Sequence, residues 1–148
     1  MAAGERLNKI VELKYSDNNY EGSSLLDEFK NKGYKTVNVV ESRLDDIIKL
    51  STSNALLKID VQGYDLPVLK GCEGLFPKIE IIIVETHLLE AIEHCSKFKD
   101  VFFYLTEQGY SLFDIVGLTT RPLDQNLCFG DFVFIKENSK LREAKGWK

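Results

Sequence analysis

An α/β fold is what the sequence predicts, and three observations predict it. Strand-like and helix-like patterns alternate along most of the 148 residues. One run, IEIIIV at 79–84, is almost wholly apolar, as a parallel strand covered on both faces should be. The chain then closes on two strand-like runs, SLFDIVGL and CFGDFVFI, joined by TTRPLDQN, where Pro122 and Asp124 suit a hairpin connection. The expected architecture is a set of parallel strands followed by an antiparallel C-terminal hairpin, with helices on both faces.

Each element has its own justification. NKIVELKY at 8–15 places Ile10, Val11 and Leu13 among charged neighbours, a strand pattern. SDNNYEGSS (16–24) is rich in turn formers and reads as a loop. LLDEFKNKG reads as a short helix after Ser24, stopped by Gly33. YKTVNVV (34–40) is rich in β-branched residues and reads as a strand. Ser42 before RLDDIIKL, with Asp45 three residues on, predicts a capped helical turn. Ala55–Val61 is the next strand, and Gln62-Gly63-Tyr64 a turn. Asp65 is the expected N-cap of a helix with Pro67 in its first turn, and Leu66, Leu69, Cys72 and Phe76 fall on one helical face. Leu88–Gln108 is expected to be helical with a break, ended by Gly109. Residues 1–137 make one domain, and 138–148 a polar tail.

Bulk properties narrow the function. Hydrophobic residues are 44% of the chain, enough for a core, and the formal charge of −4 argues against a dedicated nucleic-acid binder. No apolar run approaches the ~18 residues of a membrane span, and the first residues lack a signal-peptide pattern. Cys72, Cys95 and Cys128 are widely spaced with no CxxC pair, so reduced thiols in a cytoplasmic protein are expected, without a disulfide framework or metal site. Serine-hydrolase, zincin and P-loop signatures are absent from the sequence. The aromatic set Phe98, Phe102, Phe103 and Tyr104 is most simply core, and His94 is expected within a helix.

The chemistry concentrates at two strand ends. Open α/β sheets bind ligands beyond the carboxyl ends of their parallel strands. There the sequence reads IDVQG, ending with Asp60 to Gly63, and IVETH, ending with Glu85 and His87. Lys58 and Asp60 lie two apart, so on one face of their strand. They are either a buried ion pair or part of a site. His87 has the intrinsic pKa of a general base, or is a partly exposed loop residue. Ser23 and Ser24 are either turn residues or site residues.

At these residues the sequence resembles the FkbM-type methyltransferases. LLKIDVQGYDLPVLKGC, the SSL run at 23–25, SRLDDII at 42–48, IIIVETH, GYSLFDI and the final DFVFI follow that family's motif order from about Ala2 to Ile135. The resemblance implies a class I (Rossmann-like) methyltransferase sheet, S-adenosylmethionine (SAM) as cofactor, and O-methylation of a small-molecule hydroxyl on a sugar or natural product. It implies catalytic roles for Asp60, Glu85 and His87. It places Asp60, Val61, Gln62 and Gly63 on the cofactor, and Ser23, Ser24 and Tyr64 on the acceptor. Gln62 stands where the family more often has glutamate, which removes a charge.

The resemblance also implies an omission. The family's Gly-rich loop of GxGxG type lies before the segments matched here, and none of the ten glycines forms a GxG. The chain is therefore expected to be the C-terminal half of the domain and inactive alone, with LLKIDV left as an edge strand. Such an edge invites self-association or pairing with a separate N-terminal half. The alternative is a non-catalytic α/β remnant or interaction module.

Overall fold

The computed structural model describes residues 1–17, 19–26, 34–90 and 92–143. Their strands form two four-stranded sheets. The first contains β1 (Ala2–Ala3), β2 (Lys9–Ser16), β3 (Asn19–Ser24) and β4 (Lys35–Ser42) in the order β1-β4-β2-β3. The second contains β5 (Ala55–Ile59), β6 (Ile79–His87), β7 (Tyr110–Thr120) and β8 (Leu127–Lys136) in the order β5-β6-β8-β7. β5 and β6 are parallel, and β8 is antiparallel to both its neighbours. The α/β class, the parallel pair and the closing hairpin all match expectation.

The first two predicted strands, however, do not extend that sheet. β2 and β4 pair antiparallel with each other, and only the short β1 is parallel to β4. The 16–24 segment is not a loop: Asn19–Ser24 folds back on β2, Ser16 opposite Asn19 and Lys14 opposite Ser24. Polar residues there satisfied a turn pattern, yet a hairpin needs only a short turn before its return strand.

Among the described residues, three α-helices accompany the sheets: α1 (Leu44–Ile47), α2 (Asp65–Lys70) and α3 (Phe98–Glu107). Ser42 does not cap α1. It lies in β4, buried, and Arg43 is the N-cap without a side-chain cap bond. Asp65 is the first residue of α2, preceded by Tyr64 as N-cap, and Pro67 sits in the first turn as expected. The helix stops at Lys70. At Gly71 a Cβ would stand 2.1 Å from the Gly4 carbonyl oxygen, so the chain presses against the N-terminal segment there. A 3₁₀ stretch, Glu73–Lys78, follows with Pro77 inside it. Residues 88–90 and 92–97 are irregular where helix was expected, and His94 has φ of +62°. Their backbone serves other bonds: Lys97 bridges His87, and the Ser96 N–H donates to the Gly63 carbonyl at 2.7 Å. The helix expected up to Gly33 falls, over 27–33, outside the described residues.

The core lies on one face of the second sheet. Ile59, Ile82, Val84, Phe132 and Phe134 pack with Val68, Leu69, Leu75, Phe76, Val101 and Leu105. Phe98, Phe102 and Tyr104 pack around this cluster, whereas Phe103 is exposed. Strand alternation sends Leu56, Lys58, Ile81, Ile83, Glu85, Asp131 and Val133 to the opposite face. Leu56 is 56% exposed, and Ile81 and Ile83 are half-buried. The described helices thus pack on one face, not both, and β6 is fully covered on one side only. β5 is an outer strand, as expected of the LLKIDV segment.

Candidate functional site

The charges inside β5 are accounted for by their neighbours. Lys58 forms an ion pair with Asp131 on β8 and lies 3.8 Å from Asp60. The predicted pairing with Asp60 is present, but the group is half exposed, not buried. Burial lowers the Lys58 pKa, yet the hydrogen bond and charge of Asp131, then Asp60 and Glu85, outweigh it and raise the value. Glu85 faces Asp131 in the strand register. Burial first, then the charges of Asp60 and Asp131, push the Glu85 carboxyl up, and Lys58 offsets part of this. One lysine therefore serves three carboxylates.

A cavity of about 200 Å³ lies between the first sheet and the turn after β5. Its wall includes Ser23, Ser24, Asp60, Val61 and Tyr64, together with Leu13 and the first three residues. Five residues singled out from two separate motifs thus meet around one space. Ser24 is already engaged: its hydroxyl donates to the Gln62 carbonyl and accepts from the Leu26 N–H, both at 3.2 Å. That hydroxyl ties β3 to the turn after β5.

Tyr64 is clamped from the first sheet. Its hydroxyl accepts from Arg6 Nη2 at 2.8 Å and donates to Glu41 Oε1 at 3.2 Å. Arg6 Nε lies 2.8 Å from Glu41 Oε2, and Glu41 is fully buried. A buried carboxylate needs such partners. The Tyr64 ring is thereby fixed where it forms cavity wall.

The turn itself is built on unusual backbone. Gln62 and Gly63 both have positive φ, +51° and +91°. A Cβ on Gly63 would stand 2.7 Å from the Cys95 Cβ. The glycine therefore admits the 95–96 segment, whose Cys95 side chain packs against it. Gln62 Nε2 donates to Asp60 Oδ1 at 3.3 Å.

Two further groups are buried without hydrogen-bond partners. Asp65 is fully buried, and neither carboxyl oxygen has a partner. Burial, then the charges of Glu85 and Asp60, push it up to about 8, against a smaller opposing effect of the Asp65 and Val61 backbone N–H groups. His87 is 5% exposed with its Nδ1 unpartnered, and its ring lies 5.6 Å from that of Phe129. Burial lowers its pKa. His87 and Glu85 are not part of the cavity wall.

Sequence reading did not find Arg6, Glu41, Asp65 or Asp131 as part of this arrangement. Asp131 carried the same signal as Lys58, a charge inside an apolar strand, and the two could have been paired. Asp65 carried only a capping signal, and Arg6 carried none.

No group of His, Cys, Asp and Glu suited to a metal ion occurs among the described residues. None of the described helices is long and apolar enough to cross a membrane. No curated protein and no solved structure matches the chain. The family model described as the methyltransferase FkbM domain matches residues 5–112, a span that contains β2 to β6, the cavity wall from Leu13 onward, and the strand-end carboxylates. The chain belongs to the FkbM methyltransferase family.

Proposed function

We propose that the chain carries the acceptor side of a SAM-dependent O-methyltransferase, acting on a hydroxyl of a sugar or natural product. The observation that supports this is the convergence of Ser23, Ser24, Asp60, Val61 and Tyr64 on one cavity in a chain of this family.

Asp60 and Val61 fit one end of the methyl donor, and Ser23, Ser24 and Tyr64 the acceptor. Asp60, half exposed, offers acceptor oxygens to a hydroxyl or ammonium group, with Gln62 beside it, while Val61 supplies apolar wall. The space of about 200 Å³ is smaller than the ~300–1,000 Å³ of complete ligand sites, and Gly63 is packed against Cys95. The remaining contacts then come from a separate donor-binding half or from a second copy, for which the free edge of β5 offers a pairing surface.

When bound, SAM supplies an electrophilic methyl group. The chain's own residues align the acceptor and manage its proton. Tyr64, fixed by Arg6 and Glu41, and Ser23 orient the acceptor. Glu85 and His87 lie outside the cavity wall, so Asp60 is the carboxylate that takes the acceptor proton. Three buried, unpaired cysteines suit a reducing, cytoplasmic setting.

A second reading, a non-catalytic interaction module, is favoured by one observation. The Ser24 hydroxyl and the Lys58 cluster are satisfied internally. Calorimetric titration of SAM into the chain and into Asp60→Asn separates the two. Binding that weakens at least tenfold in the variant supports the methyltransferase reading. Binding indifferent to the substitution, or no binding even when a donor-binding partner chain is supplied, supports the module.

A further inference from the structure

Asp65 is a carboxyl group with no role in the proposed methyl transfer, placed at a mechanically sensitive point. It opens α2, directly after the turn that forms one cavity wall. That turn meets residues 95–96 through few bonds. The Ser96 N–H donates to the Gly63 carbonyl at 2.7 Å, the Leu66 N–H donates to Ser96 Oγ at 3.0 Å, and the Thr86 hydroxyl donates to the Ser96 carbonyl at 3.3 Å. Gly63 and Cys95 are in tight contact across the same seam. Asp65 is enclosed beside this seam with both oxygens lacking partners. As a neutral acid it is tolerable there. As an anion it is not, because an unpaired buried charge costs far more than an unpaired neutral group.

We infer that Asp65 is a base-triggered latch: neutral, it lets the 61–64 turn close on residues 95–96, and its ionisation opens that seam and loosens the cavity wall. The charged groups that act on it are of one sign. Glu85 on β6 and Asp60 in the turn both oppose its ionisation, and the Cys95 thiol, once deprotonated, would do the same. The Val61 and Asp65 backbone N–H groups favour the anion, but burial outweighs them. The release therefore falls in the alkaline range, not at acid pH. Its meaning for catalysis rests on the cavity being the binding site. The latch itself does not, and its test needs no ligand.

The test is a carbon-13 NMR titration of side-chain carboxyls in the full chain from pH 5 to 10, with amide shifts of Gly63, Leu66 and Ser96 followed in parallel. The expected result is one aspartate titrating near pH 8, absent from Asp65→Asn, with the three amides shifting at the same midpoint in the wild type. If Asp65→Asn fails to fold, the shared midpoint in the wild type carries the test. An Asp65 carboxyl titrating near pH 4 overturns the latch. So does a high midpoint that leaves the three amides unmoved, or one at which core amides of β6 and β8 move equally.

Discussion

Lys58 reaches from β5 past β6 to pair with Asp131 on β8, while Asp60 stands 3.8 Å away on its other side. The exposed face of the second sheet thus carries a small charge network centred on one cation. Removing that cation leaves Asp60, Asp131 and Glu85 facing one another. Lys58→Met is expected to raise the Glu85 pKa further, readable by carboxyl NMR, because Lys58 is what offsets it. The stability cost should stay within about 1 kcal/mol, since the pair is half exposed. A urea-denaturation loss of several kcal/mol would show the network to be structural.

Asp65 sets a stability trend with a definite sign. Its folded pKa of about 8 lies above its ordinary value of 3.8, so the folded state holds the proton longer. Its favourable contribution is complete below pH 3.8 and is lost as pH rises to about 8. Asp65→Asn should therefore leave stability unchanged near pH 3.5 and raise it by several kcal/mol at pH 8.5. Equal effects at both pH values, measured by urea denaturation, would mean that the carboxyl is ionised throughout.

His87 acts in the opposite direction. Burial lowers its folded pKa below 6.5, so the unfolded chain takes the proton first. Stability from this residue is complete above pH 6.5 and declines as pH falls toward the folded value. Replacing His87 with Gln should flatten the urea-midpoint profile between pH 7 and 5. A profile that keeps its slope would assign the acid sensitivity to other groups.

Gly63→Ala combines positive φ with a methyl 2.7 Å from the Cys95 Cβ. A loss of more than about 1 kcal/mol is expected. Cys95→Gly, which removes the clashing Cβ, should recover part of it, which a double-mutant cycle reads directly. Additive losses would show that the backbone conformation alone is at fault.

Arg6 and Glu41 are expected to act on ligands only through Tyr64. In a methyl-transfer assay with a sugar-hydroxyl acceptor and a donor-binding partner chain supplied, Glu41→Gln and Tyr64→Phe should raise the acceptor KM by similar factors, and the double variant by little more than either one. Independent, multiplying losses would place Glu41 in direct contact with the ligand.

The parts of the fold legible in the sequence were those with strong local patterning. IEIIIV and the two closing strands are local signals and lie where their patterns placed them, and the helix expected from Asp65 as N-cap starts one residue earlier, with Tyr64 as its cap. β3 was hidden because Asn, Gly and Ser mark turns and edge strands alike, and pairing with β2 decided between them. The 88–97 segment had helical composition, but its backbone is recruited by the 61–64 turn, a contact that no local pattern encodes. The cavity was half legible. The motif residues were named, while the partners that hold them, Arg6 and Glu41, lie 58 and 23 residues from Tyr64. The sequence does not say which distant charges meet.

The two sheets are joined by polar ties, among them Ser24 to Gln62 and the Arg6–Tyr64–Glu41 clamp, and by a small apolar contact of Leu26 with Cys95, whereas the second sheet has its own large apolar core. Such a join makes the first sheet a separately opening unit, released at lower free energy than the core. A molecule seated in the cavity touches both sides of the join. It would therefore act as a splint, suppressing that partial opening in proportion to its occupancy. Binding would then appear first as hydrogen-exchange protection across β1 to β4, before any change in the core.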